Sequence, residues 1–176
     1  ADVQNWFHAI MRLHQAPSYL DHQPLGSMGI GTPLAIGAAA AAAEIAREQG
    51  GEPRPVVLVT GDGSFGFYPA EWSTAVKENL RIVGLISNDG AWGTERHAQM
   101  KSIGRELNVD LGRPRYDIVA EGFGCYGEMV ESPTEVGPAI RRAFAAGRPA
   151  VLNFITDPEA GRLRKEDPRL QMIPHD

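Results

Sequence analysis

The sequence predicts an α/β fold, a doubly wound parallel sheet with helices on both faces, and three observations carry that prediction. Short apolar runs such as "VVLVT" and "RIVGLIS" lack the polar alternation of a half-exposed strand, so they read as strands covered on both sides. Segments with helical spacing separate these runs, so strand and helix alternate along the chain. Strands joined through helices pair in parallel, and right-handed crossovers then lay the helices over both faces.

The elements follow in order. "QNWFHAIMRLH" places Trp6, Phe7, Ile10, Met11 and Leu13 on one apolar face, which predicts a helix over about 4–14. "APSYLDHQPLGSMGIGTP" is rich in Gly, Pro and Ser and reads as loop. The alanine-rich run opening at Pro33 predicts a helix over about 33–49, ended by "GGEPRP". A strand at 56–60, a helix over about 69–79 and a strand at 81–87 come next. Beyond a polar stretch, "YDIVAEGFG" predicts a short helix and "YGEMVE" a third strand. Ser132 reads as the N-cap of a helix in "PTEVGPAIRRAFAA", with Gly147 closing it and "PAVLNFIT" as the fourth strand. From Asp157 the charges alternate among three prolines, so one domain over 1–157 and a tail over 158–176 are expected.

Composition narrows the function classes. The chain has 176 residues, 43% of them hydrophobic, enough for one core. Its net charge of −5 and its unclustered Lys and Arg argue against a nucleic-acid surface. No run reaches the roughly 18 apolar residues of a membrane span. The single cysteine, Cys125, excludes an internal disulfide framework, reads as a small buried hydrophobe and fits a reducing, cytoplasmic compartment. His8, His14, His97 and His175 have no spacing that suggests metal, and Arg141 and Arg142 read as a solvated helix face. The cationic "GRLRKEDPR" of the tail could meet an anionic substrate such as coenzyme A, although a disordered or covering tail is the better reading.

Chemistry enters at "VVLVTGDGSFGF", Val56 to Phe67. Ligands of open parallel sheets bind beyond the carboxyl ends of the strands, where Gly61, Asp62 and Gly63 fall. The glycines let backbone amides approach an anion, and Asp62 offers the hard oxygen that magnesium prefers. A plain turn wants the same residues. The second strand also ends in polar oxygens, Asn88 and Asp89, and 24 residues from Ser64 to Ser87 separate the two motifs. That length fits one helix and one return strand, so Asp62 and Asp89 can stand side by side, where they repel unless a cation lies between them.

Gly-Asp-Gly, 24 residues and then Asn-Asp resembles the thiamine diphosphate signature of the family that includes acetolactate synthase, pyruvate decarboxylase and benzaldehyde lyase. "LGSMGIGTPLAIGAA" is similar to that family's aminopyrimidine loop, and the resemblance spans residues 3 to 157. It implies magnesium held by Asp62, Asp89 and the carbonyl of Ala91, and diphosphate met by Gly63 and Ser64 where a helix dipole favours an anion. Gly61, Ser27, Trp92 and Gly93 would complete the cofactor site. Met28 would bend the cofactor into a V, its amide meeting the pyrimidine while the Gly26 carbonyl accepts the amino proton. By position, His22, Trp92 and Thr94 would face the substrate, with a hydrogen-bonded loop histidine the stronger reading for His22 and core packing for Trp92.

The resemblance also implies a glutamate from a pyrimidine-binding domain, a first strand ahead of "ADVQNWF", and active sites formed between chains of a homodimer or tetramer. This segment alone would then be inactive. "GAWGTERHAQM" looks closer to benzaldehyde lyase and the 2-hydroxyacyl-CoA lyases than to acetolactate synthase, with a 2-oxo acid decarboxylase as a further alternative. A non-catalytic binding module is opposed by the intact Asp62, Asp89, Ser64 and Met28. A nucleotide or flavin site lacks its G-x-G-x-x-G after a strand.

Many family members carry Asn where this chain has Asp89, and the extra negative charge faces an anionic diphosphate. Cofactor binding should therefore depend unusually strongly on the metal. Titrating thiamine diphosphate with and without magnesium checks this: Asp89→Asn should weaken the metal requirement, and an unchanged requirement contradicts the charge argument.

Overall fold

The computed structural model describes residues 2–15 and 18–159. Its centre is a four-stranded, all-parallel sheet in the order β1-β2-β4-β3, formed by β1 (Val56–Gly61), β2 (Ile82–Asn88), β3 (Tyr126–Val130) and β4 (Ala150–Ile155). The chain steps outward from β1 through β2 to β3 and then back to β4. With right-handed crossovers, forward steps place their helices on one face and the backward step places its helix on the other.

The packing follows that rule. On the first face, α2 (Gly31–Gln49), α3 (Asp62–Phe65), α4 (Trp72–Lys77) and α6 (Tyr116–Gly122) enclose a core that includes Leu58, Phe65, Trp72, Ile82, Ile86 and Val151. On the second, α7 (Val136–Ala145) covers Val83, Val130, Ala150 and Leu152 with Ala139 and Ala143. Consecutive residues of β4, Val151 and Leu152, belong to opposite cores, as the period-two alternation of a strand requires. The helix α1 (Asp2–Ile10) lies against β1.

Several boundaries differ from the sequence expectation. The first helix stops at Ile10 rather than at 14, and Met11 and Leu13 are exposed beyond it. The alanine helix starts two residues before Pro33, which is tolerated because first-turn amides have no intrahelical partner. The helix expected over 69–79 is a 3-10 turn, Pro69–Glu71, running into the short α4. Ser132 does cap, but onto a 3-10 turn at Pro133–Glu135 that precedes α7. Gly147, at φ +67°, closes that segment as expected.

An additional helix, α5 (Gly93–Ile103), fills the stretch read only as polar. None of its residues is buried, so it has no apolar stripe to reveal it. Arg142 is not simply solvated, since it pairs with Glu128 and Glu135. Cys125 is buried, and burial pushes its thiol up to about 11, in keeping with an inert side chain. Among the described residues no helix is long and apolar enough to cross a membrane. The tail motif "GRLRKEDPR" and His175 lie outside the described residues.

Close packing under the sheet leaves no room at Gly84, where an added Cβ would stand 2.8 Å from the buried Trp72 ring. Gly84→Ala should lower unfolding free energy by about 1–3 kcal/mol, because an immobile ring or the strand must shift. Denaturant unfolding checks this, and an unchanged midpoint would show that the ring yields freely.

Candidate functional site

The two acidic motifs meet because of register. β1 and β2 are paired with Gly61 opposite Ser87, so both strands end at the same edge of the sheet. Asp62 leaves β1 directly into α3, a single helical turn. Its side chain is 3% exposed and accepts a hydrogen bond from the Gly90 amide at 2.9 Å, in the turn that follows β2. Asp89 stands close enough to act on it: burial and then the Asp89 charge push the Asp62 carboxyl up to about 6, against lowering hydrogen bonds from backbone amides. A buried carboxylate facing a second, half-exposed one is an electrostatically strained arrangement.

The rest of the loop turns oxygen toward the same place. Ala91 forms an isolated antiparallel bridge with Asp110, built from Trp92 N–H to Val109 O at 2.9 Å and Leu111 N–H to Gly90 O at 2.8 Å. In that pairing the polar groups of Ala91 itself point away from its partner strand. Its N–H donates to Asp89 Oδ1 at 3.2 Å, which puts its carbonyl on the Asp89 side as well. Asp62, Asp89 and the Ala91 carbonyl make a donor set of hard oxygens suited to magnesium. Among the described residues no group of three or more His, Cys, Asp or Glu side chains gathers to hold a metal, so an ion here would complete its shell from oxygens beyond the two carboxylates.

The glycine-rich loop arrives from the other side. The Gly29 amide donates to Ser64 Oγ at 2.9 Å, which fastens the Gly26–Met28 segment beside the Gly-Asp-Gly turn. Ser64 accepts there, so its own proton stays available for an anion. Gly26 adopts φ +67°, with its amide bonded to the His22 carbonyl, and Ser27 and Met28 are exposed beside it. A Cβ at Gly29 would lie 2.7 Å from Phe67 Cβ, so only glycine permits this approach.

Trp92 takes the packing role favoured by the sequence. Its ring covers Gly63, where an added Cβ would sit 2.6 Å away, and it meets Phe67 edge-on at 6.0 Å. Gly93 and Thr94 open α5 immediately afterwards. The expectation of a helix dipole behind Gly63 and Ser64 needs correction, since α3 has only 4 residues and its turn offers amide groups rather than a long aligned dipole.

His22 shares the turn with Gly26, and its Nδ1 is enclosed without a hydrogen-bond partner. Its placement near this loop fits a functional reading, although no described contact joins it to Asp62. Asn88, read beside Asp89 as an oxygen ligand, turns out to be fully buried and donates its amide to Asn153 Oδ1 and the Pro114 carbonyl, both at 3.0 Å. Sequence reasoning missed the strap over 109–114 that touches this loop, because backbone groups of Val109, Leu111 and Pro114 make its contacts and leave no signal in residue type.

Comparison with known proteins identifies the family and the fold. Residues 1–154 match the family described as "Thiamine pyrophosphate enzyme, C-terminal TPP binding domain". A probable acetolactate synthase of Mycobacterium bovis is 42% identical over 151 residues, covering 85% of this chain and 26% of that protein. A 2-hydroxyacyl-CoA lyase of Arabidopsis thaliana is 35% identical over 158 residues, covering 86% of this chain and 26% of that protein. A thiamine diphosphate-dependent 4-hydroxybenzoylformate decarboxylase of Rhodococcus jostii superposes with a TM-score of 0.64 at 26% identity, over 74% of this chain and 23% of that one. The chain therefore spans 26% of the length of each of these two relatives.

The strained pair yields a stability prediction. Asp62→Asn should stabilise the metal-free protein at neutral pH by about 1–3 kcal/mol, since it removes a buried charge that burial and Asp89 both oppose. Thermal unfolding in chelator checks the sign. A loss of stability would mean that the bond from Gly90 outweighs the repulsion.

Proposed function

The chain belongs to the thiamine pyrophosphate enzymes, as their C-terminal TPP-binding domain, and from that premise we propose how it serves a whole enzyme. It holds thiamine diphosphate and magnesium for the cleavage or formation of a carbon–carbon bond next to a carbonyl. The meeting of Asp62 and Asp89 at neighbouring strand ends carries this reading, because two carboxylates held that close are the hard oxygen ligands a divalent cation takes.

Each residue then has a task. Asp62, Asp89 and the Ala91 carbonyl hold the metal. The Gly63 amide and the Ser64 hydroxyl donate to diphosphate oxygens, with Gly61 and Gly93 giving the backbone room to approach. The Gly26 carbonyl and the Met28 amide would hold the aminopyrimidine, with Ser27 between them and the Met28 side chain beneath the cofactor. Trp92 keeps the Gly63 turn in shape, and His22 faces the substrate. Bound thiamine diphosphate supplies the carbon nucleophile and electron sink that the protein itself lacks.

For the whole enzyme, the reading is a 2-hydroxyacyl-CoA or acyloin lyase or carboligase, supported by "GAWGTERHAQM" and by the Arabidopsis relative. An acetolactate synthase is the second reading, favoured by the higher identity to the Mycobacterium bovis protein. The pyrimidine-binding domain of the same or a neighbouring chain is the partner, within a cytoplasmic homodimer or homotetramer.

Native mass spectrometry with thiamine diphosphate and magnesium tests the proposal. Uptake of one cofactor and one metal per subunit is expected, together with its loss in Asp62→Ala. No uptake by the assembled protein overturns the cofactor reading. Turnover of pyruvate against cleavage of a 2-hydroxyacyl-CoA then separates the two reactions.

A further inference from the structure

A chain of buried polar groups lies beneath the metal-binding loop, and neither acidic motif contains most of it. Asn88 and Asn153 are both 0% exposed and Asp117 is 4% exposed. Asn88 ends β2, Asn153 is the fourth residue of β4, and Asp117 lies in the first turn of α6. Asn88 Nδ2 donates to Asn153 Oδ1 at 3.0 Å, and Asn153 Nδ2 donates to Asp117 Oδ1 at 3.2 Å. Arg115 closes the row with Nε and a terminal guanidinium nitrogen on the Asp117 carboxylate, at 3.0 and 2.6 Å. Burying three polar side chains beside an apolar core is unfavourable unless each is bonded; all three are, with Asn88 Oδ1 left as the one unpartnered atom, so the row has a defined geometry rather than a tolerant one.

The row grips one backbone atom in particular. The Pro114 carbonyl receives Asn88 Nδ2 at 3.0 Å and Asn153 Nδ2 at 3.3 Å, as well as the Tyr116 amide at 3.0 Å. Pro114 ends the strap whose other end, Val109 to Leu111, pairs with Gly90 and Trp92 on either side of Ala91. Between them Gly112 presses on Gly90, where a Cβ would stand 2.7 Å from the Gly112 carbonyl. Arg113 adds a bond to the Thr156 carbonyl at 3.4 Å. The strap is therefore fixed at Pro114 and, through Gly90 and Trp92, fixes the loop that carries Asp89 and the Ala91 carbonyl.

We infer that Asn153 and Asp117 are positioning residues for the metal-binding loop, holding Asp89 and the Ala91 carbonyl in place through Pro114 and the 109–114 strap. This inference rests on the proposed cofactor function. Neither residue touches the metal or the diphosphate. Partners of this kind beneath a metal's ligands usually change affinity by about 10- to 100-fold when removed.

The test replaces Asn153 with Leu, which keeps much of its bulk and removes both donors, in the full chain. Hydrogen exchange of the cofactor-free protein reports the Trp92 and Leu111 amides against those of β1. Calorimetry of thiamine diphosphate binding at several magnesium concentrations reports affinity. Faster exchange confined to Trp92 and Leu111, with the metal requirement raised at least about 10-fold, is the expected result. Unchanged exchange at those amides overturns the inference, and so does uniform loss of protection through β1, which would make the row a fold-wide support.

Should N153L not fold, Asp117→Asn keeps the shape and the acceptor for Asn153 while losing the Arg115 ion pair. A smaller change in the same two readouts is expected, and none overturns the inference. If the wild-type protein takes up no cofactor, the proposed function fails, whereas exchange at Trp92 and Leu111 still decides whether the row positions the loop.

Discussion

The parallel pairing of β1 with β2, with Gly61 opposite Ser87, is the constraint on which the rest of the site depends. Ending both strands at one level brings the next residues, Asp62 on one side and Asn88–Asp89 on the other, to a common edge. Burial and the Asp89 charge then raise the Asp62 carboxyl, so its ionised form is disfavoured unless positive charge joins it. Local instability of this kind persists only where surrounding packing holds it. Here the core cluster that includes Phe65, Trp72 and Ile86 packs the same face of β1 and β2 from which Asp62 departs into α3.

Steric clearance is the second theme. Gly29, Gly63 and Gly90 lie where a single methyl group would collide with Phe67, with Trp92 or with the Gly112 carbonyl. Glycine at these places serves close approach between loops as much as approach to an anion. The Trp92 ring on Gly63 ties the loop after β2 to the turn after β1, and the Ser64–Gly29 bond ties that turn to the loop before α2. Three loops far apart in sequence are thereby tied to one another.

Much of this was visible in the residues. All four strands were placed within a residue or two, since a strand buried on both faces leaves an unbroken apolar run. The acidic pair was visible too, because spacing restricts what can lie between two strand ends. The helix α5 was not, for an exposed helix without an apolar face leaves no periodic trace. Asn88 was misread for a related reason: next to Asp89 it looks like a ligand, and only its bonds to Asn153 and Pro114 reveal a side chain turned into the interior.

By itself the sequence determined the fold class, the pairing of Gly-Asp-Gly with Asn-Asp, and the chemical character of the loop ends, because these depend on local apolar patterning and on residue type. Tertiary structure alone decided which way each polar side chain points. Asn153 lies 65 residues beyond Asn88 and shares no motif with it, yet the strand order places β4 beside β2 and makes the two amides neighbours. Contacts between distant segments follow from strand order and register, which packing of the whole chain sets at once, so no local window of sequence contains them.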